Sequence, residues 1–265
     1  MGYKRRAMVK VLDRAPYNGA AIKQTLKRLG YQVVAGPPAD VGPGDVIVTW
    51  NRYQRDMGHI QAFEAGGGKN IVFENSPLGR TRDGGPWYSV AVGGHNGAGV
   101  YREPDIMQFG RLNYPVREWG IKHTGTILFL ATRHMGAPDA REPKSWLAKA
   151  MSFTQQKWNL TAKVRAHPGP QYAVPEVALE DDLKDTGVAI TWGSSAGIKA
   201  ILAGYPVFYG FDRWVGGLAA QELFKSDVLH PACVGRGPLI AQLATVINSL
   251  GEVEAGDPLA ELLGV

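Results

Sequence analysis

The chain lacks several of the residues and patterns on which common functions depend. Among its 265 residues there is one cysteine, Cys233. That excludes an internal disulfide and any metal site built from several thiolates, and it is the usage expected of a reducing cytoplasm. No run approaches the roughly 20 unbroken apolar residues that span a bilayer, so no integral membrane contact is expected. The start, Met1-Gly2-Tyr3-Lys4-Arg5-Arg6, is basic, but the apolar run after it is broken by Lys10 and Asp13. It is too short and polar for a signal-peptide core, and the protein reads as soluble and cytoplasmic. No internal repeat and no low-complexity tract is visible. No Asp-x-Asp pair stands at a strand end, and the densest acidic stretch, Glu180-Asp181-Asp182, reads as a solvated helical turn. The expectation is metal-independent chemistry with no cofactor.

What is present is an ordinary globular composition, 45% hydrophobic and 20% charged, in a chain long enough for one large or two medium domains. The charge is uneven. Residues 1–120 hold 16 Lys and Arg against 10 Asp and Glu, whereas residues 121–265 hold 13 against 14. The basic first part either serves solubility or favours an anionic partner.

Short β-rich runs alternate with helical patterns. Strands are predicted at 7–12, 31–35, 46–50 and 70–74, with a helix ending near Arg28 at Leu29-Gly30 and another over 54–65. Residues 76–102 are rich in glycine and turn formers, notably Gly93-Gly94-His95-Asn96-Gly97, and read as a long functional loop. A second series opens at 126–131 and continues with a helix at 143–158, a strand at 161–166 and a turn at 179–183. A strand at 188–192, a helix at 194–203, a strand at 206–209 and a terminal helix at 239–250 complete it. The expected fold class is α/β, with two Rossmann-like domains (residues 1–120 and 121–265) and a cleft between them. Functional residues are expected at the carboxyl ends of the strands.

The clearest chemistry lies in Thr191-Trp192-Gly193-Ser194-Ser195-Ala196-Gly197-Ile198-Lys199-Ala200, a strand running through a turn directly into a helix. A helix N-terminus carries unsatisfied N–H groups and about half a positive charge, so it stabilises an anion. Gly193 allows close backbone approach, and Ser194 and Ser195 add hydroxyls. A serine that only caps the helix is the simpler reading of this motif alone. It has company, however. Arg165-Ala166-His167-Pro168 ends the preceding strand, where Arg and His can donate to phosphate oxygens. Arg133 follows the first strand of this half and is a candidate diphosphate contact, whereas His134 reads as a loop histidine.

The order strand–Arg-x-His-Pro, Glu-Asp-Asp-Leu, strand–Gly-Ser-Ser-x-x-x-x-Ala–helix and Gly-x-Pro-Val resembles the carboxy-terminal half of GT-B glycosyltransferases. Capsular Kdo-transferases and bacterial polysialyltransferases are the nearest in pattern, over about residues 126–210. The glycine-rich segment 93–99 is also similar to phage-encoded glycosyltransferase-like proteins, for which the location would be the host cytoplasm. The resemblance implies a nucleotide-sugar co-substrate held by His167, Pro168, Ser194 and Ser195, beside which Arg133, Arg165, Gly193 and Lys199 are the further donor-side candidates. It further implies a carboxylate base at a strand end in the first half. Glu74, after Ile71-Val72-Phe73, occupies the matching place, with Asn75 and Ser76 where that family has Asp and Gly. Asp13 is the alternative base, and a structural carboxylate is the simpler reading of Glu74. Such a base favours single displacement with inversion. The acceptor side is assigned to His95, Asn96, Arg14, Arg52, Arg55, Arg80 and Arg82, a set suited to a polyanion. The leading expectation is transfer from a UDP-sugar such as UDP-glucose to a hydroxymethylated pyrimidine, such as 5-hydroxymethylcytosine, in phage DNA. The alternatives are synthesis of a capsular or surface polysaccharide from a CMP- or UDP-sugar, and a non-catalytic nucleotide-sugar- or DNA-binding protein.

Overall fold

The structure is a computed structural model that describes residues 4–94, 98–120, 125–134, 138–168, 177–229 and 235–265. The chain divides into two compact units. Unit 1 comprises Met1–His95, Gly99–Asp105 and Gln242–Val265, and unit 2 comprises Asn96–Ala98 and Ile106–Ala241.

In unit 1 the strands β1 (Arg6–Val9), β2 (Gln32–Val34), β3 (Val46–Trp50) and β4 (Lys69–Asn75) pair in parallel in the spatial order β2-β1-β3-β4. Helices α1 (Gly19–Arg28) and α2 (Met57–Ala65) connect them. The loop after β1 enters α1 at Gly19, where a Cβ would lie 2.2 Å from the Val11 carbonyl oxygen. Only glycine fits so tight an approach. Residues of alternate parity on the strands feed two cores. Val46, Val48, Ile71 and Phe73 pack with Ile22 and Leu26 of α1, whereas Met8 and Ile47 pack with Ile60 and Phe63 of α2.

The segment 76–102 departs from the loop that its glycines suggested. It contains β5 (Thr81–Arg82) and β6 (Gly85–Val92), joined by Asp83-Gly84, and β6 pairs antiparallel with β4. Asp83 and Gly84 have φ of 49° and 78°, the left-handed pair that a tight hairpin requires.

Unit 2 contains β7 (Thr126–Leu130), α3 (Trp146–Trp158), β8 (Thr161–Arg165), α4 (Leu179–Lys184), β9 (Val188–Thr191), α5 (Ser195–Leu202), β10 (Val207–Tyr209) and β11 (Gln221–Glu222). Its five strands are all parallel, in the order β8-β7-β9-β10-β11. The unit begins earlier than the boundary at residue 120, because the segment 106–120 is tied to α5. The Arg117 N–H donates to Leu202 and the Gly120 N–H to the Gly204 carbonyl, each at 2.8 Å.

The last 24 residues also depart from the expected domain of 121–265. The chain leaves unit 2 within α6 (Gly237–Val246), and β12 (Ile247–Ser249) then pairs antiparallel with β6 at the edge of the first sheet. A capping box between Ser249 and Glu252 starts α7 (Leu250–Ala255), and α8 (Asp257–Leu263) follows. Val253, Leu259, Leu262 and Leu263 complete the α1-side core of unit 1, which gives these residues more apolar burial there than a solvated terminal helix would have. No helix among the described residues is long and apolar enough to cross a membrane.

Candidate functional site

In unit 2 three strand ends stand level. Leu130 of β7 pairs with Arg165 of β8 on one side and with Thr191 of β9 on the other. The chain leaves β7 for β8 and returns to β9 across it, so the order reverses beside β7. That reversal is a topological switch point, where open α/β sheets bind ligands outside their carboxyl ends. The residues that follow the three strands are Ala131-Thr132-Arg133, Ala166-His167-Pro168 and Trp192-Gly193-Ser194-Ser195.

The β9–α5 turn separates the two serines. Ser194 is the N-cap: its hydroxyl accepts from the Ala196 N–H (3.2 Å), and its own N–H donates to Thr191 Oγ1 (2.9 Å). Ser195 is the first helical residue and is exposed, and neither its N–H nor its hydroxyl makes a hydrogen bond within the described residues. The free anion-binding capacity at this helix start is therefore that of Ser195. Gly193 is buried against Phe211 and Trp214, and a Cβ at Gly197 would lie 2.8 Å from the Trp214 ring. The two glycines thus let the helix start settle on an aromatic floor. Lys199, one turn further along, is half-buried with no ion pair among the described residues.

His167 is half-buried, and its Nδ1 is buried without a hydrogen-bond partner among the described residues. Burial, reinforced by the neighbouring Arg133, holds its pKa below the ordinary histidine value, so the ring is neutral at pH 7 and carries one donor. Arg133 is partly buried and makes no ion pair among the described residues. Pro168 is exposed beside His167.

Arg165 behaves differently. Its Nη1 donates to the Val177 carbonyl (2.8 Å) and pairs with Asp182, and the side chain is 13% exposed. Lys163, two residues back on the same face of β8, also pairs with Asp182 at 2.8 Å. The acidic stretch that reads as solvated therefore contains a buried residue. Asp182 faces the strand and neutralises the largely buried Arg165 together with the more exposed Lys163; a buried guanidinium without a counter-ion is strongly disfavoured. Its carboxyl lies below the usual range: hydrogen bonds from Lys163 and Arg165 outweigh the opposing and largest single influence, burial. A further contact was not legible in the sequence. Trp192 Nε1 donates to the Ala140 carbonyl (3.0 Å), and Thr132 donates to the buried Glu142 (2.5 Å).

In unit 1 the candidate base Glu74 lies one residue from the carboxyl end of β4, half-buried and paired in register with Ser89 of β6. Asp13 lies in the loop between β1 and α1. Both its oxygens bind Lys23 Nζ (2.8 and 2.9 Å), and it is 58% exposed.

The arginine set is not a free cationic track. Arg52 pairs with Glu64 and donates to the Gly93 carbonyl; Arg55 contacts Asp56 and lies over the Tyr53 ring. Arg82 stacks over Trp87, and Arg102, also placed after a strand, is held by Thr245, Asn248 and Glu261. Arg14 and Arg80 are exposed and make no side-chain bond among the described residues. His95 and Asn96 lie outside the described residues. Among the described residues, no group of three His, Cys, Asp or Glu is placed to hold a metal ion.

Two parallel-rich sheets, each with helices on its connections, define a two-unit Rossmann-like fold of the GT-B type. Two solved structures share it over nearly their whole length. One is the beta Kdo 2,7 transferase of Thermosulfurimonas dismutans KpsC, with a TM-score of 0.59 and 12% identity over 95% of this chain and 98% of that chain. The other is the beta Kdo 2,4 transferase of the same protein, with a TM-score of 0.54 and 14% identity over 96% and 98%. No family model and no curated protein matches the chain.

Proposed function

We propose that this chain is a glycosyltransferase that moves a sugar from a nucleotide-sugar donor to a hydroxyl of a surface polysaccharide or related glycan. The observation that carries the reading is the carboxyl edge of the unit 2 sheet. Its switch point gathers an arginine and a histidine ring nitrogen that have no partner among the described residues, and the open N-terminal residue of a helix. Each supplies an N–H or O–H donor, and together they suit the phosphates of a sugar nucleotide. The likeness to two Kdo transferases supports the same class and favours a glycan over DNA. The ion pairs of Arg52 and Arg55 and the stacking of Arg82 on Trp87 weaken the basic track on which a DNA acceptor rested.

In this reading Arg133, His167 and Ser195 bear the charge that develops on the departing nucleotide. Arg165 contributes from its tether on Asp182, and Ser194 and Gly193 shape the turn. Glu74 takes the acceptor proton as the new bond forms, and the single displacement inverts the anomeric centre. The test is transfer with a panel of CMP-Kdo, other CMP-sugars and UDP-sugars, offered with oligosaccharide acceptors and with hydroxymethylcytosine-containing DNA. Nucleotide release coupled to sugar on an oligosaccharide is the expected result. Transfer to the DNA alone would restore the nucleic-acid reading. Nucleotide binding without transfer to any acceptor would instead indicate a binding protein.

A further inference from the structure

After its glycine-rich segment the chain rejoins the unit 1 sheet in a single antiparallel step. Val100 and Val92 exchange both backbone hydrogen bonds, each 2.9 Å. In such a pair the next residue, Tyr101, lies beside Ala91 and shares its face of the sheet. Gly99, two residues earlier and so on that same face, confirms the register: a Cβ there would lie 2.3 Å from the Ala91 methyl. Ser89 is the next residue of β6 on this face, and it pairs with Glu74. Tyr101 and Glu74 therefore stand on one face, with only the small side chains of Ala91 and Ser89 between them.

The Tyr101 hydroxyl is buried, and its O–H meets no acceptor among the described residues. Burial first, then the negative charge of Glu74, push its pKa far up against a weaker hydrogen bond from the Gly99 backbone to the phenol oxygen. It is a permanently protonated donor. A buried donor left unmet costs about 1–3 kcal/mol, and folded proteins keep few of them. A ligand that supplies an acceptor recovers that cost.

We infer that Tyr101 and Glu74 together form the subsite for the acceptor alcohol, in which Tyr101 donates to an oxygen adjacent to the hydroxyl whose proton Glu74 takes. The inference rests on the reading of Glu74 as the base. An ionised carboxylate only accepts and a protonated phenol donates, so the pair matches neighbouring oxygens of a neutral polyol, one giving and one receiving a hydrogen bond. A phosphate would meet repulsion from Glu74. Tyr101 is a positioning residue and transfers no proton.

The experiment compares the full-length wild type with Tyr101→Phe and Glu74→Gln. Without ligand, Tyr101→Phe should melt at or above the wild-type temperature, since the O–H donor it loses meets no acceptor among the described residues. A drop of several degrees means that the hydroxyl is bonded within the fold, which overturns the inference. Binding of a set of methyl glycosides, read by saturation-transfer NMR, should weaken about tenfold in Tyr101→Phe, the effect of one hydrogen bond to a ligand. Unchanged binding in the variant, or no glycoside binding to the wild type, overturns it as well. In the transfer assay the KM for acceptor should rise several-fold more than kcat falls, the split expected of a residue that positions the acceptor without moving its proton. Glu74→Gln separates the two readings. If it transfers at the wild-type rate, the base assignment fails and takes the subsite with it. If Glu74→Gln is inactive and Tyr101→Phe keeps wild-type KM and glycoside binding, the subsite alone fails.

Discussion

Replacing the two adjacent serines one at a time should produce opposite phenotypes. Ser194→Ala removes the oxygen that accepts from the Ala196 N–H. An N-cap change of this kind costs about 0.5–2 kcal/mol, and for a chain of this size each kcal/mol lowers the melting temperature by about 2–4 °C. A fall of about 1–8 °C is expected, with affinity for nucleotide little changed, because the freed N–H still points out of the helix start. Ser194→Gly should cost only a few tenths of a kcal/mol, which isolates the cap from other effects. Ser195→Ala removes an exposed hydroxyl with no partner among the described residues, so stability should move by less than about 0.5 kcal/mol. A hydrogen bond to a charged phosphate is worth about 1.5–3 kcal/mol, so affinity for UDP or CMP should fall about ten- to 150-fold. The assays are calorimetric melting and isothermal titration with both nucleotides. Unchanged nucleotide affinity in Ser195→Ala, or a loss of affinity in Ser194→Ala with no change in melting, would refute the division of labour.

Acid titration tests His167, whose pKa is held below 6.5 in the fold. The unfolded chain takes up that proton first, so the contribution of this residue to stability is complete above pH about 6.5 and declines as pH falls from there through the folded value. An anion beside the ring reverses the shift and couples binding to proton uptake, so UDP should bind more tightly at pH 5.5 than at pH 7.5. His167→Gln should flatten that dependence in titration calorimetry; an unchanged slope removes His167 from the site. Asp182→Ala leaves Arg165 largely buried without its counter-ion and should cost about 3–5 kcal/mol in urea unfolding. A variant within 1 kcal/mol of wild type would mean that water already screens the pair.

The turn and helix start at Gly193–Ser195 were legible in the sequence because they are local. A strand that runs through Gly193 into Ser194 and Ser195 writes its turn, cap and helix start within five residues, and the physics of helix ends needs nothing further. The two parallel series were legible for the same reason, since the alternation of apolar strand and helix is a short-range pattern. Asp182 was not legible. Its partners Lys163 and Arg165 lie 19 and 17 residues earlier in the chain, and only the pairing of α4 with the face of β8 turns an acidic surface turn into a buried counter-charge. The end of the chain was hidden by distance as well. Ser249-Leu250-Gly251-Glu252 carries a capping-box signature, which marks a helix start at Leu250 and so argues against one continuous helix over 239–250. Nothing nearby, however, says that Ile247–Ser249 pairs with Trp87–Ser89.

The same distinction between local and long-range information explains why the two halves of the reaction were unequally visible. A phosphate is held by backbone N–H groups and a helix dipole, features that any suitable strand–turn–helix provides and that a few small residues announce. A neutral alcohol has no such generic receptor. It must be met by individual side chains placed in register, and here register depends on the antiparallel entry of β6 and on Val100 returning beside Val92. Gly99 is the one local trace of that arrangement, since its place against Ala91 excludes any side chain, yet in sequence it is one glycine among several. The excess of arginine in the first 120 residues was the louder signal, and it concerned the fold: Arg6 binds Asp40 and Asp45, Arg52 binds Glu64, and Arg102 ties β12 and its neighbours to unit 1. Cations that hold a domain together are spent on its own carboxylates and carbonyls. In the proposed reaction, recognition of an acceptor in unit 1 then falls to an uncharged donor and a carboxylate on one face of its sheet, Tyr101 and Glu74.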